Sequence, residues 1–524
     1  MKSLMTKRRM MAIVAIFAMS FSFLFYSQSI VAGPQIAYYA NSSEPILDWD
    51  PAVEFSNGII VLNNIYETLV KYDPDSNRMI PVLATSYTKS DDALIWTFKI
   101  RQGVKFHDGS EVDAEAVKFS IERTKRIGKG AAYIWDPVEK IIVKDKYTVV
   151  FKLSYAAPLD LVASCGYASF IVSPKSVKAH ADDWLSKGNE AGSGPYKLKK
   201  FKMGDEVIMT AFKDYWKGWK DNQFDIVVIK RIMETTSRRQ LLEKGEADIT
   251  MQLPAEDIEE LKNDSNVNVS VNRSFQNLVL LLNTAKPPLD SKDVRQALSY
   301  AFPYQKVVKY AAGGYALRSK GVIPKGMWGH GENLMQYTYN IDKAKELLKK
   351  AGYANGGLKL KLTYASGDEA EKKMAELYKS ELNKINVDLE IRGMPWESQW
   401  EMAKSSKVDN RQDIFAMYWW PDIASPYSWM YSLFRTEEDI LFNLSYYRSQ
   451  LFDNLIDEAN TISSTNRSKA SELFIKAQER LLEDAPSIFA YDKKMVYVTY
   501  KTFKGFKSNA SYPNVVFFYD TYRD

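Results

Sequence analysis

Asp422 lies within DIFAMYWWPDIASPYSW, residues 413–429, where an acid follows a run of large aromatic side chains. A lone carboxylate beside Tyr418, Trp419 and Trp420 offers one charged anchor on flat apolar walls, the composition of many small-molecule sites. The first half of the stretch alternates as a strand does, with Phe415, Met417 and Trp419 on one face and Ile414, Ala416 and Tyr418 on the other. Pro421 cannot donate to a ladder, so the strand should stop there and leave Asp422 just beyond its carboxyl end. Open α/β sheets bind ligands outside those ends. On periodicity alone the plainer alternative stands ahead: the aromatics fill core and Asp422 is a solvated turn residue.

Other chemistries find little support. The three histidines, His107, His180 and His330, are scattered and form no metal-binding spacing, so neither a metal nor a cofactor is expected. There is no G-x-S-x-G elbow, Walker loop or dinucleotide glycine pattern. Gly103, Gly109 and the pair at 192 and 194 read as turn residues. A chain with 65 acidic residues always contains candidate carboxylate pairs, so a secreted glycosidase stays open as an alternative of another class.

The 524 residues exceed what one core serves, so at least two domains are expected. Lys2, Lys7, Arg8 and Arg9 precede an apolar run, 10–26, and small residues follow to Gly33; residues 1–32 therefore read as a cleaved secretory signal, with an uncleaved anchor as the competing reading. Loss of that leader would lower the formal charge from +5 to +1, leaving no field that selects nucleic acid or anionic lipid. Cys165 is the only cysteine and reads as a small buried thiol; it excludes an internal disulfide, and no lipid-bearing cysteine follows the leader. A Gram-negative periplasm is the expected compartment.

The elements that must position the 413–429 stretch follow from periodicity. Apolar residues between Ile59 and Leu69 recur at helical spacing, and 96–101 and 147–153 alternate as strands. Asp113 is placed to cap a helix carrying Val117 and Ile121. These pieces suggest an α+β subdomain over about 81–189. FQNLVLLLN at 275–283 reads as a fully buried strand, and Lys286-Pro287-Pro288 after it marks a crossing into a second lobe. There, a strand over 358–364, a helix over 369–384 and a strand at 387–391 form a βαβ unit. A helix starting near Trp396 precedes the 414–419 strand, so Trp396 and Trp400 lie between two strand ends. Helices over about 446–461 and 467–483 precede a strand at 491–500, which returns the chain to the first lobe.

The stretch WTFKIRQGVKFHDGSEVDAEAVKFSIER at 96–123 is the most specific motif of the chain, and Ile65-Tyr66-Glu67-Thr68-Leu69, Gly192-Ser193-Gly194-Pro195-Tyr196 and Val294-Arg295-Gln296-Ala297-Leu298 accompany it. Together, and in this order along the chain, these stretches resemble the extracellular solute-binding proteins of family 5, the oligopeptide, dipeptide and nickel-binding components of ABC importers. The resemblance implies an α/β, two-lobed periplasmic binding fold (type II) with an extra α+β subdomain: lobe I over 33–283, lobe II over 284–494 and a return to lobe I over 495–524. It implies no enzyme activity, a monomer, and partnership with ABC permease subunits. It also reverses the order of readings for Asp422, because Trp419-x-x-Asp422 matches the position where peptide-binding relatives hold the α-ammonium. Trp396 matches a pocket wall, and the stretch Ser42-Ser43-Glu44 matches a first-lobe strand that touches the ligand backbone. Two departures stand out. The family's Asp-x-x-Asp-Pro reads Asp422-Ile423-Ala424-Ser425-Pro426, and a basic residue that some oligopeptide binders carry before the tryptophan is absent. The expected cargo is a peptide-like or cationic organic solute, held by Asp422, Trp419, Trp420, Trp396, Tyr418, Trp400, Ser43 and Glu44. An oligosaccharide stacked on the aromatic cluster is the alternative within the same family.

Overall fold

The structure is a computed structural model in which residues 33–524 are described; the leader reading of 1–32 lies outside them. Ile36–Asp524 form one compact unit threaded by an eleven-stranded mixed sheet. At one end of the sheet, Val387–Met394, Leu358–Ala365 and Ile414–Trp419 lie side by side and parallel. At the other, Ile36–Asn41 pairs in parallel with Ile226–Arg231 and Ile249–Met251, and Glu206–Ala211 and Tyr196–Lys202 extend the edge antiparallel. Two long antiparallel strands join the halves, Val267–Leu282 and Ser487–Tyr500.

Side-chain pattern decides which parts of those long strands are buried. The run from Phe275 to Leu282 is apolar and lies between two neighbours with every residue buried, whereas Val267–Ser274 alternates with polar residues and is partly exposed. The expected strand at 275–283 is therefore the buried half of a longer one. The register slips between Arg273 and Asn277, a bulge at the point where the strand passes from one half of the sheet to the other.

Two large apolar cores lie on either side of that point. The first gathers residues from Ala37 to Met251 and takes back Met495, Tyr497, Phe503, Tyr512 and Phe518 from the chain's end. The second is built from Phe275–Tyr491 with few additions. Full burial of one such leucine or isoleucine contributes about 1.5–3 kcal/mol, so each core outweighs any single polar contact described below.

Within the first half, Ala84–Lys89, Ile95–Ile100, Thr148–Leu153 and Val138–Asp145 form a separate antiparallel sheet. The helix Ala114–Ile127 packs on it, buries Val117 and Ile121, and is capped by Asp113, whose carboxylate accepts the Ala116 N–H at 2.9 Å. The helical reading of 59–69 is corrected: the helix ends at Ile65 and Val70–Asp73 is a strand. Gly192 and Gly194 explain that stop, because both backbones press on the helix end. A Cβ on Gly192 would lie 2.0 Å from the Ile65 carbonyl oxygen, and the Gly194 N–H donates to that oxygen at 2.8 Å. These glycines are needed for close approach, not for a turn, whereas Gly103 and Gly109 hold φ of 78° and 80° in turns.

Candidate functional site

The Ile414–Trp419 strand ends where the pattern placed its end, and the chain then runs along the seam between the two cores. Trp419 and Ala424 belong to the second core; Ile423 belongs to the first, and Trp420 packs against the first. Ser425 starts the next helix, Pro426–Phe434, by accepting the Tyr427 N–H, and Pro426 occupies its first turn. That helix is apolar except for a buried stripe of serines at 428 and 432, one turn apart.

The stripe faces Asp422. Its backbone N–H donates to Ser428 Oγ at 2.8 Å. Its carboxylate Oδ2 accepts the Tyr133 hydroxyl at 2.7 Å, and the same hydroxyl lies 3.2 Å from Ser432 Oγ. The Cys165 thiol donates to the Asp422 carbonyl oxygen at 2.8 Å, and burial pushes that thiol's pKa well up. Asp422 is thus gripped by the first half through Tyr133 and Cys165 while belonging by chain to the second. Among the described residues it forms no ion pair. Burial raises its pKa to about 6, against the opposing hydrogen bonds of Tyr133, Ser428 and Ser432. A carboxylate desolvated without a counter-cation is poised to gain most from one.

The tryptophans divide. Trp400 and Trp419 are core residues, 7% and 8% exposed, so the plainer reading holds for much of their surface. Trp396, at the first position of the helix Trp396–Ala403, is half-buried and presents its ring 5.4 Å from Trp400 and 5.8 Å from Phe415. Phe55 reaches from the first half onto this cluster, 6.1 Å from Trp400 and 5.7 Å from Phe442. The Trp419 Nε1–H is buried without an acceptor. Trp420 turns the other way and donates to the Tyr167 hydroxyl at 3.0 Å.

Ser43 is half-buried, and its carbonyl oxygen accepts from Asn41 Nδ2 at 3.0 Å. Glu44 pairs with Arg231 at 3.4 Å and keeps Oε1 buried without a partner. Burial raises its pKa, and Glu397, next to Trp396, pushes in the same direction. Glu44 therefore faces the tryptophan helix across the seam. Tyr418 lies on the opposite sheet face from Trp419; its hydroxyl meets that of Tyr491 at 2.6 Å, and Lys493 Nζ sits 4.3 Å from its ring centre.

Residues not singled out from the sequence complete the site. Tyr133 stacks on Tyr431 with centres 4.6 Å apart, one ring from each half. Behind them is a cavity of about 480 Å³ whose walls include Tyr155, Tyr427, Arg435 and Asp457, the last two paired at 3.0 Å. Ile423 and Tyr133 both line it, so the cavity lies beside the chain neighbour and the hydroxyl partner of Asp422, which is not itself in its wall. Serines at 425, 428 and 432 in an otherwise apolar helix were the one sequence signal for this polar stripe. Nothing in the pattern around Tyr133 marked it. Among the described residues, no group of three or more His, Cys, Asp or Glu side chains could hold a metal ion, and no helix is long and apolar enough to cross a membrane.

The sequence model "Bacterial extracellular solute-binding proteins, family 5 Middle" matches residues 78–439. The chain is 32% identical over 474 residues to the probable D,D-dipeptide-binding periplasmic protein DdpA of Escherichia coli K12, covering 88% of this chain and 89% of that protein. It is 27% identical over 453 residues to the glutathione-binding protein GsiB of Pectobacterium atrosepticum, with 85% and 86% covered. Among solved structures, the periplasmic binding protein DppA of Helicobacter pylori, in complex with the peptide STSA, superposes with a TM-score of 0.84 at 27% identity, covering 93% of this chain and 98% of that one. The family consists of substrate-binding proteins, and the two-lobed α/β fold expected from the sequence is the one these neighbours share. The chain belongs to the bacterial extracellular solute-binding proteins, family 5.

Proposed function

We propose that this protein is the periplasmic substrate-binding component of an ABC importer and that it captures a peptide-like or otherwise amine-bearing solute between its two halves. The observation that carries the reading is the Asp422 carboxylate: desolvated, free of any ion pair among the described residues, and located on the seam between the cores. An ammonium placed there would replace lost solvation with a charge-assisted hydrogen bond. Trp396 and Trp419 would supply apolar surface, and the cavity behind Tyr133 would leave room for the rest of the cargo. No covalent step is involved. Affinity comes from closure of the halves around the ligand, which expels water and buries its surface.

A neutral oligosaccharide would use the aromatic surfaces but leave the carboxylate without a cation, so the peptide reading is preferred. The names of the relatives, dipeptide- and glutathione-binding, support the same choice. Titration of intrinsic tryptophan fluorescence against parallel panels of short peptides and neutral oligosaccharides tests it. Saturable quenching or enhancement by peptides alone is expected; saturation by sugars alone would refute the reading.

A further inference from the structure

The cavity of about 480 Å³ beside Tyr133 takes one wall from each half, and its chemistry differs from that around Asp422. Tyr427 and Tyr431 lie one turn apart on the helix Pro426–Phe434, with Arg435 one turn further, and this stripe lines the cavity. Ser428 and Ser432 form the neighbouring stripe, the one that bonds Asp422. The helix Gln450–Ile462 adds Asp457, Asn460 and Thr461, again at spacings that share a face. The first half supplies buried Pro137, Ala157, Pro158 and Val162, and the ring of Tyr155, which is 39% exposed.

Most polar groups of the second half's wall are already matched. Arg435 donates to Asp457 through Nε at 3.2 Å and Nη2 at 3.0 Å, and the Tyr427 hydroxyl donates to the same carboxylate at 3.3 Å. Thr461 Oγ1 donates to the Asp457 carbonyl oxygen at 2.9 Å. Asn460 is different: it is 6% exposed, lines the cavity, and its side-chain amide makes no hydrogen bond among the described residues. Buried amides are rarely left so, because an unmatched one forfeits its hydration without return. Its N–H donors and its acceptor oxygen call for a partner that both gives and takes hydrogen bonds. The Tyr155 and Tyr431 hydroxyls have the same double capacity and no hydrogen bond among the described residues.

Charge and shape narrow the class of that partner. Arg435 and Asp457 neutralise each other, and Asp136, which also lines the cavity, is exposed, so no desolvated lone charge selects an ion. What remains is an apolar wall of prolines and aliphatic side chains together with a wall of hydroxyl and amide groups. A ring with a C–H face and a hydroxyl edge matches both. The volume lies within the range of small-molecule pockets, about 300–1,000 Å³.

We propose that this cavity is a second binding site, for a neutral polyol of monosaccharide size, and that it is complete only when the two halves are together. Asn460 bonds hydroxyls of the polyol in both senses, Tyr155 and Tyr431 add further bonds, and Pro137, Pro158 and Val162 cover its C–H face. The site goes beyond the capture of an amine at Asp422, whose carboxylate is not in this wall. Both sites need the same closure, and Tyr133 belongs to both, so each ligand favours binding of the other. A long cargo would need the same room, so a dipeptide is the partner ligand for the test.

Calorimetric titration with glucose, galactose, mannose and myo-inositol, each with and without saturating alanyl-alanine in its L,L or D,D form, tests the inference. No tryptophan lines the cavity, so heat is read in place of tryptophan fluorescence. At least one polyol should saturate, while cyclohexanol, a ring without the hydroxyl edge, should not. The dipeptide should tighten polyol binding by about fivefold or more. Asn460→Leu and Tyr155→Ala should each weaken it by about tenfold or more; Tyr155 is exposed, so that variant keeps the test open if Asn460→Leu does not fold. Asp422→Asn should still bind the polyol. No saturation by any of the four with dipeptide present, full affinity in both cavity variants, or displacement of the polyol by alanyl-alanine would overturn the second site. Asn460-dependent polyol binding without any dipeptide binding would overturn the functional reading alone, and a polyol held only through Asp422 would overturn both.

Discussion

The Tyr133 hydroxyl and the Asp422 carboxylate, 289 residues apart in sequence, meet at 2.7 Å across the seam between the two cores. This bond ties the halves together through the residue that would hold cargo. It also supplies a donor where an ammonium would sit, so the protein's own hydroxyl already satisfies part of what the ligand would satisfy. Ligand binding would exchange a neutral hydroxyl for a cation at that carboxylate, and charge-assisted bonds are roughly twice as strong as neutral ones.

The raised pKa of Asp422 makes binding depend on pH. Protonated carboxyl predominates below about pH 6, so capture of an ammonium there must expel a proton. Affinity for an amine-bearing peptide should rise by close to tenfold per pH unit up to about pH 6 and level off by pH 7. The α-ammonium stays charged through this range, and an N-acetylated peptide should show no such slope. The linkage also acts on stability. Because the folded pKa lies above the unfolded one, the Asp422 contribution is fully present below about pH 4 and is lost as pH rises through about 6. Affinity measured from pH 4.5 to 8 checks the first statement.

Trp396 and Trp400 should separate binding from stability. Trp400 is 7% exposed, and truncation to alanine should cost about 3–5 kcal/mol in denaturant unfolding. Trp396 is half-buried at the start of its helix, so Trp396→Ala should cost clearly less stability than Trp400→Ala while weakening ligand binding about tenfold. Urea melts and fluorescence titrations of the two variants provide the comparison.

Gly192→Ala should destabilise the protein without touching the seam. Its new Cβ would meet the Ile65 carbonyl carbon and oxygen at 2.8 Å and 2.0 Å, and backbone cannot move aside as a flexible side chain can. A loss of about 1–3 kcal/mol is expected from the overpacking. Gly109→Ala tests the other use of glycine: nothing lies near its Cβ, and only the left-handed φ of 80° penalises it, by about 1–2 kcal/mol. Thermal melts of both variants check the ranking.

Arg123 and Asp50 form a buried pair in the first half, 4% and 3% exposed at the side chain, with one of the two bonds at 2.8 Å. The pair fixes the loop that ends in Glu54 and Phe55, and Phe55 is the first-half ring on the tryptophan cluster. Arg123→Met leaves Asp50 buried and unpaired, at a cost of about 3–5 kcal/mol. Arg123→Met with Asp50→Leu should recover much of that loss, as measured by equilibrium unfolding.

The parts of this molecule that were legible in the sequence are those set by local periodicity. Alternation located the Ile414–Trp419 strand, Pro421 its end, and Asp113 the cap of its helix. The buried half of Val267–Leu282 was visible as an apolar run, but its amphipathic half was not, because Val267–Arg273 takes its strand conformation from pairing with 494–500. Gly192 and Gly194 were misread for a related reason: a glycine that admits another backbone looks the same in sequence as one that turns. The acid of the site could be found from its neighbours in the chain. Tyr133 and Phe55 could not, since each reaches the candidate site by tertiary packing from a segment whose own pattern reports only its local element.

The central claim is that Asp422 grips a cationic group, and calorimetry of wild type and Asp422→Asn with a dipeptide and its N-acetyl derivative tests it most directly. Wild type should bind the free dipeptide far more tightly than the acetylated one, and Asp422→Asn should lose about 2–5 kcal/mol for the free dipeptide while changing little for the acetylated form. Equal affinity of wild type for the two compounds, or an Asp422→Asn protein that still prefers the free amine, would contradict the account.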